Sequence, residues 1–266
     1  MKFLIVANDE KDIDLSFSLE LSSYLREHGQ ETEVLKNAQE QPGLSADICL
    51  VCGGDGTMLR TAKIFGERIP MLGINLGTVG FLTEVERENV HAALDRLVAG
   101  EYSVEKRMMI SGTVGNTQSL ALNDIVVTRA GFSRIIGLNI YVNDQLLDTY
   151  EADGVIIATP TGSTGYSLSA GGPIVSPRAH VIVVTPISPH SLSAKSIVYD
   201  ASEKIRVEIV KKRKTQDTEA IVSFDGEPGI PLSVGDSVTA EISSHAVSFV
   251  KLYDTSFYTI LREKLI

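Results

Sequence analysis

Basic charge is scarce in this 266-residue chain, where 24 Lys and Arg face 34 Asp and Glu for a formal charge of −10. Nucleic acids and anionic lipid surfaces attract basic faces, so neither is an expected partner. Phosphates remain open to such a chain, but only through local backbone N–H groups, a few cations or a metal. Long hydrophobic runs are missing as well. Phe3-Leu4-Ile5-Val6-Ala7 is too short for a signal core or a membrane span and gives way at once to Asn8-Asp9-Glu10, so a cytoplasmic location is expected. Cysteine is limited to two residues, Cys49 and Cys52. They form a C-x-x-C inside the apolar run Ile48-Cys49-Leu50-Val51-Cys52, whereas redox pairs occupy helix starts, where the dipole lowers a thiol pKa. On a strand, residues three apart face opposite ways, so the pair reads as two core thiols. The five histidines show no metal-ligand spacing, and His190, between Pro189 and Ser191, reads as a loop-packing residue.

What is present is ordinary globular composition, 43% hydrophobic and 22% charged, enough for one large domain or two smaller ones. The first hundred residues alternate strand and helix. Apolar runs at 3–7, 47–52 and 70–75 and the run Thr32-Glu33-Val34-Leu35 read as strands. Helical spacing covers about 14–26, 56–65 and 89–98. Such alternation predicts a Rossmann-like parallel sheet. After Gly100 the pattern changes to short β-rich runs between turn residues, as in Leu138-Asn139-Ile140-Tyr141-Val142 and Ile205-Arg206-Val207-Glu208-Ile209. This predicts a second, all-β domain. The expected division is 1–100 for the α/β domain and 101–250 for the β domain. A helical tail, 251–266, is expected to pack back on the first. Lys211-Lys212-Arg213-Lys214 is followed by Gln216-Asp217-Thr218-Glu219 and reads as a solvated hairpin loop.

Two segments carry chemistry. Gly53-Gly54-Asp55-Gly56-Thr57 follows a buried strand and opens a helix, the place where open α/β sheets gather ligands and offer N–H groups to phosphate. It is neither a G-x-G-x-x-G dinucleotide fingerprint nor a Walker A loop, which counts against a nicotinamide dehydrogenase. Asp55 is the unusual member. It fits either a helix N-cap or a base or metal partner aimed at a hydroxyl that attacks phosphorus. The second segment, Thr159-Pro160-Thr161-Gly162-Ser163-Thr164-Gly165-Tyr166-Ser167, follows the apolar strand 155–158 and runs on to Gly171-Gly172-Pro173. It is one residue short of a serine-hydrolase elbow. Its hydroxyls and glycines suit either a plain polar loop or a ligand lining. Asn123-Asp124 and Asp153-Gly154 add polar groups at strand starts.

Taken together, and in this order, the turn at 53–57, Gly73-Ile74-Asn75-Leu76-Gly77-Thr78-Val79-Gly80-Phe81-Leu82, Asn123-Asp124, Asp153-Gly154, the run 159–172 and Thr185-Pro186-Ile187-Ser188-Pro189-His190-Ser191-Leu192 resemble the NAD kinase family. The resemblance implies an α/β domain joined to a β-sandwich, and transfer of phosphate from ATP, or polyphosphate, to the 2′-hydroxyl of the adenosine ribose of NAD. It implies Asp55 as general base with Gly56 beside it, and phosphates at Gly53, Gly54, Gly56 and Thr57. Asn123 and Asp124 would bind the ribose and adenine region. Asp153 and the run Thr164, Gly165, Tyr166, Ser167, Leu168 and Ser169 would complete the pocket, with Thr161 near the nucleobase and Arg134 toward a phosphate. It further implies a divalent cation, magnesium, with ATP, and a homodimer or homotetramer whose sites borrow residues from a neighbour. Departures are small. Asn-Glu is common where this chain has Asn123-Asp124, a basic residue stands in some relatives at the place of Glu151, and Asp225-Gly226-Glu227 often ends in Gln. The rival expectations are a lipid or sugar kinase with the same turn, and a non-catalytic nucleotide sensor.

Overall fold

The computed structural model describes residues 1–39, 41–77, 80–130, 135–191, 194–211, 220–254 and 256–265, the side chains of 263–265 excepted. It divides into two compact units, Met1–Arg107 with Ala246–Ile266, and Met108–His245.

The first unit is built from β1 (Lys2–Ala7), α1 (Ser16–Glu27), β2 (Glu31–Lys36), β3 (Ile48–Gly53), α2 (Asp55–Phe65), β4 (Met71–Asn75), β5 (Val85–Glu86) and α3 (Val90–Val98). β1, β3 and β4 are buried almost throughout, as strands covered on both faces must be. Their order is β2-β1-β3-β4, every neighbour parallel. The chain leaves β1 toward β2 on one side and returns to β3 on the other. That reversal opens a crevice at the carboxyl ends of β1 and β3, the place where ligands of open α/β sheets bind. α1 begins at Ser16, later than the periodicity suggests, because Leu15 takes a left-handed conformation. The Asp12 carboxylate then caps the helix, accepting from the backbone N–H groups of Phe17 and Ser18 and from the Ser18 hydroxyl.

The second unit contains most of β6 (Ser103–Val114), β7 (Thr117–Ala121), β8 (Asp124–Arg129), β9 (Ile136–Val142), β10 (Gln145–Ala152), β11 (Gly154–Ala158), the short helix α4 (Tyr166–Ser169), β12 (Val181–Ile187), β13 (Ile197–Asp200), β14 (Ile205–Val210), β15 (Ala220–Phe224), β16 (Ile230–Leu232) and most of β17 (Ser237–Lys251). One antiparallel sheet runs β13-β12-β11-β8-β15-β16, and a second pairs β10, β9, β14 and β17. Their facing sides share one core, including Val127, Leu138, Ile157, Val184, Val207 and Phe224, and the unit is an antiparallel β-sandwich. The period-two pattern of β14, buried at Ile205, Val207 and Ile209, shows which face each strand turns inward. The six-stranded sheet's other face is apolar too. Val126, Ile156, Ala158 and Val183 are covered there by Ala170 and Val175, so the 159–176 segment lies flat on the sheet.

The end of β17 returns to the first unit, where Phe249 pairs in parallel with Met71. Beyond it the Glu84 carboxylate binds Lys251 and accepts from the backbone N–H groups of Leu252 and Tyr253. This fixes the chain ahead of α5 (Phe257–Leu265). Cys49 and Cys52 are fully buried in β3. Burial pushes the Cys52 thiol up to about 12 and Cys49 higher still, so both are inert. Among the described residues no helix is long and apolar enough to cross a membrane.

Candidate active site

The first unit supplies a cleft of about 360 Å³, lined by Asn8, Lys11, Arg60, Gly80 and the turn from Gly54 to Thr57. Its size suits a small ligand, and it stands at the crevice between β1 and β3. Gly53 ends β3 where a side chain is impossible, since a Cβ would fall 2.4 Å from Thr57 Oγ1. Thr57 is thereby drawn in and buried, and its Oγ1 accepts a 2.7 Å hydrogen bond from Asn8 Nδ2. That bond ties the end of β1 to the start of α2. Asp55 opens the helix, but its carboxylate does not cap it. Oδ2 accepts from the N–H of Phe81 at 2.8 Å, and Oδ1 from that of Leu82 at 3.0 Å. Gly80 allows this approach, because a Cβ there would lie 1.9 Å from Asp55 Oδ1. Asp55 is therefore a carboxylate held in one orientation by two backbone donors, and about two of its lone-pair sites stay free.

The second unit gathers the other residues at the start of β8. Asp225, left-handed at φ 51°, is the organiser. Its carboxylate accepts from the backbone N–H groups of Leu122, Asn123 and Asp124, at 2.8, 2.8 and 3.0 Å. Thr159 closes the turn from the other side, its N–H and hydroxyl donating to the carbonyls of Asn123 and Leu122. Gly162 packs so closely that a Cβ would meet the Asn123 carbonyl oxygen at 2.1 Å. Two features remain unbalanced. Asn123 Oδ1 is buried with no hydrogen-bond donor among the described residues. Asp124 is buried beside the Asp225 carboxylate, and burial, reinforced by that charge, pushes it up to about 7.

The run 159–169 divides by role. Ser163 is buried and bonds the Pro160 and Val175 carbonyls, which pins the segment to itself. Ser167 is buried against Thr185, with Gly172 making room for both. Thr161 is also buried. Thr164, Gly165 and Leu168 are partly open, while Tyr166 and Ser169 are exposed. Gly165 faces the Asn123 amide and the Asp124 carboxylate, which lie 3.7 and 4.0 Å from where its Cβ would be.

Asp153 is not brought to this end. β8 and β11 pair antiparallel with Asp124 opposite Ala158, whereas the Asp153 carbonyl accepts from the Arg129 N–H. Five residues of strand, roughly 16 Å at ~3.3 Å each, separate the two positions. Asp153 Oδ1 is instead paired with Arg129 Nε at 2.8 Å. Arg134 and residues 212–219 lie outside the described residues. Asn8, Lys11, Arg60 and the donor role of the Phe81 and Leu82 backbone are absent from the sequence expectation, which names Asp225 only as part of the segment 225–227 and gives it no role. Asn8-Asp9-Glu10-Lys11, directly after the first buried strand, was the available signal, since such strand ends face the ligand crevice.

Comparison with known proteins agrees along the chain. Residues 5–102 match the family model described as ATP-NAD kinase N-terminal domain, and residues 122–252 the ATP-NAD kinase C-terminal domain. The NAD kinase of Lachnoclostridium phytofermentans is 42% identical, with 99% of this chain and 98% of that one covered. That of Moorella thermoacetica is 40% identical, over 98% and 88%. Among solved structures, an NAD kinase from Archaeoglobus fulgidus in complex with ATP superposes with a TM-score of 0.80 at 30% identity, covering 94% of this chain and 93% of that one. Yeast NADH kinase complexed with NADH gives 0.82 at 26%, over 100% and 87%. Neither the lipid- or sugar-kinase expectation nor the sensor is favoured by these matches. The chain belongs to the ATP-NAD kinase family of phosphate-transferring enzymes.

Proposed function

We propose that this chain moves the terminal phosphoryl group of ATP onto the 2′-hydroxyl of the adenosine ribose of NAD, giving NADP, with Asp55 as general base. The observation that carries the role of Asp55 is its fixed carboxylate, held by the Phe81 and Leu82 N–H groups in the cleft at the crevice of the parallel sheet. The hydroxyl oxygen attacks the terminal phosphorus, its O–H proton passes to Asp55, and the bond from that phosphorus to the bridging oxygen breaks to release ADP. Such transfer depends on positioning and charge neutralisation more than on covalent help. The N–H groups around Gly53, Gly54 and Gly56 face the donor phosphates, while Thr57 supports the turn, its N–H engaged by the Gly54 carbonyl and its hydroxyl by Asn8.

On the acceptor side, Asn123 Oδ1, a shielded acceptor without a donor among the described residues, suits an N–H or O–H of the nucleotide. Asp124, Thr161, Thr164, Gly165, Tyr166, Ser167, Leu168 and Ser169 complete that half, Ser167 from behind. The distance of Asp153 from Asp124 along the β8–β11 pair supports a homodimer or homotetramer in which Asp153 serves the site of a second copy. Among the described residues no three His, Cys, Asp or Glu side chains cluster to hold a metal. Among the described residues Asp55 is the only carboxylate lining the cleft. That fits a magnesium ion carried mainly by phosphate oxygens and water, where it would neutralise donor charge. Polyphosphate is a second possible donor. A location in the cytoplasm accords with the composition.

The test is a coupled assay with magnesium, ATP and NAD, in which a strictly NADP-dependent dehydrogenase reads the product. NADP is expected to form, and Asp55→Asn to lower turnover by roughly 10² to 10⁴ with the fold intact. Near-normal turnover in that variant removes Asp55 from the mechanism.

A further inference from the structure

We propose that Lys11 is a ligand of the donor's terminal phosphates, held over the Gly53–Gly56 turn by Asn8 acting as a positioning residue. The inference rests on the ATP-dependent reading above. It begins where β1 ends. Asn8 is buried, and one side chain does two things. Its Nδ2 donates to Thr57 Oγ1 on α2, and its Oδ1 accepts from the backbone N–H groups of Glu10 and Lys11, at 3.0 and 3.1 Å. The Asn8 carbonyl accepts from Lys11 and Asp12 as well. The 8–12 turn is thus locked to the first turn of α2, and the Lys11 side chain is aimed across the cleft.

Two glycines make the space that this lysine occupies. Lys11 Nζ lies 3.2 Å from where a Cβ of Gly54 would be, and 2.5 Å from that of Gly77. The Gly77 backbone is held in turn by the Asn75 side chain, through bonds to its N–H at 3.0 Å and its carbonyl at 3.1 Å. Lys11 makes no ion pair among the described residues. The cleft's own carboxylate, Asp55, is already engaged by two N–H groups. Arg60, the second cation of the lining, approaches Gly56, with Nη1 3.9 Å from that glycine's Cβ position. An ammonium with no ion pair among the described residues, beside a glycine turn in a cleft that the Arg60 guanidinium also lines, matches a phosphate group. In a chain of net charge −10 these are the local positive charges that the donor's anionic chain requires. Lysine suits the task because its ammonium acts as a rotatable point charge and follows the phosphate as it moves.

Phosphate could also come from the pyrophosphate of NAD, and the experiment separates the two sources. Full-length wild type, Lys11→Ala, Lys11→Arg and Asn8→Ala are compared in NADP formation, with ATP varied at saturating NAD and then the reverse. Thermal unfolding is measured with and without magnesium-ATP in the absence of NAD. Loss of a charge-assisted phosphate contact is expected to raise the KM for ATP about ten- to hundredfold in Lys11→Ala. The KM for NAD should stay within about twofold, with Lys11→Arg partly restored and Asn8→Ala shifted the same way by a smaller factor. ATP-induced stabilisation should shrink in parallel. A folded Lys11→Ala variant with unchanged KM for ATP and unchanged ATP stabilisation overturns the proposal. So does a rise confined to the KM for NAD. If wild type makes no NADP, the reading beneath fails, yet the thermal shift with ATP still decides the role of Lys11.

Discussion

Asp55 and Asp124 both follow a buried or tightly bonded turn, and both stand near glycines, but the protein surrounds their carboxylates in opposite ways. Asp55 receives two backbone N–H groups and sits in an open cleft. Asp124 is buried, receives no hydrogen bond at its carboxylate among the described residues, and faces Asp225. Asp225 takes the N–H groups of residues 122–124 for itself. Burial first, and the neighbouring Asp225 charge second, press Asp124 to keep its proton, while the backbone donors beside it serve Asp225 instead. A residue kept near half-protonation at neutral pH can both donate and accept, which suits contact with a ribose or a base.

The contrast can be broken most severely at Asp225. Asp225→Ala leaves three backbone N–H groups without an acceptor, a loss of about 3 kcal/mol in all. Calorimetry or circular dichroism should find Tm lower by roughly 10 °C; an unchanged Tm would mean that water replaces the carboxylate at no cost. Next in size is Gly80→Ala. Its Cβ would collide with Asp55 Oδ1, so the carboxylate must leave the Phe81 and Leu82 donors. Misplacement of that order costs about 10² in turnover. Steady-state kinetics with an unaltered kcat would show that the orientation of Asp55 is immaterial. Smallest per pH unit is the pH dependence of stability at Asp124. Its native pKa of about 7 lies above the ordinary 3.8, so the folded state holds the extra proton between those values. Stability should therefore fall as pH rises from about 4 through 7, by at most about 1.4 kcal/mol per pH unit, and level off above. Urea unfolding of Asp124→Asn should lack that slope, and a slope identical to wild type would assign it to other groups.

Much of the architecture was legible because it is written locally. The apolar runs of β1, β3 and β4 and the glycine turn before α2 announce a parallel sheet with a ligand crevice, and the period-two runs announce the sandwich. The contacts that shape the site are not local. Asp225 reaches Asp124 across about a hundred residues, and in sequence Asp225-Gly226 is only a turn. Asn8 reads as a polar loop residue until Thr57 is seen beside it. Ser163 and Ser167 look like ligand donors, yet both hydroxyls face the protein, because a segment lying flat on a sheet must satisfy its own polar groups. Asp153 illustrates another limit, since strand register sets which end of a strand a residue occupies.

The two core thiols have a practical consequence. Cys49 and Cys52 are the chain's complete complement of cysteine, and both are sealed in β3 with their protons held tightly. Maleimide and iodoacetamide dyes, which attack thiolates, will pass the native fold by. A single cysteine introduced on an exposed position such as Glu10 would then be the one site to take label, with no background to remove. The wild-type core becomes its own unlabelled control, and the appearance of two slow-reacting thiols reports global opening of the β1–β3–β4 sheet.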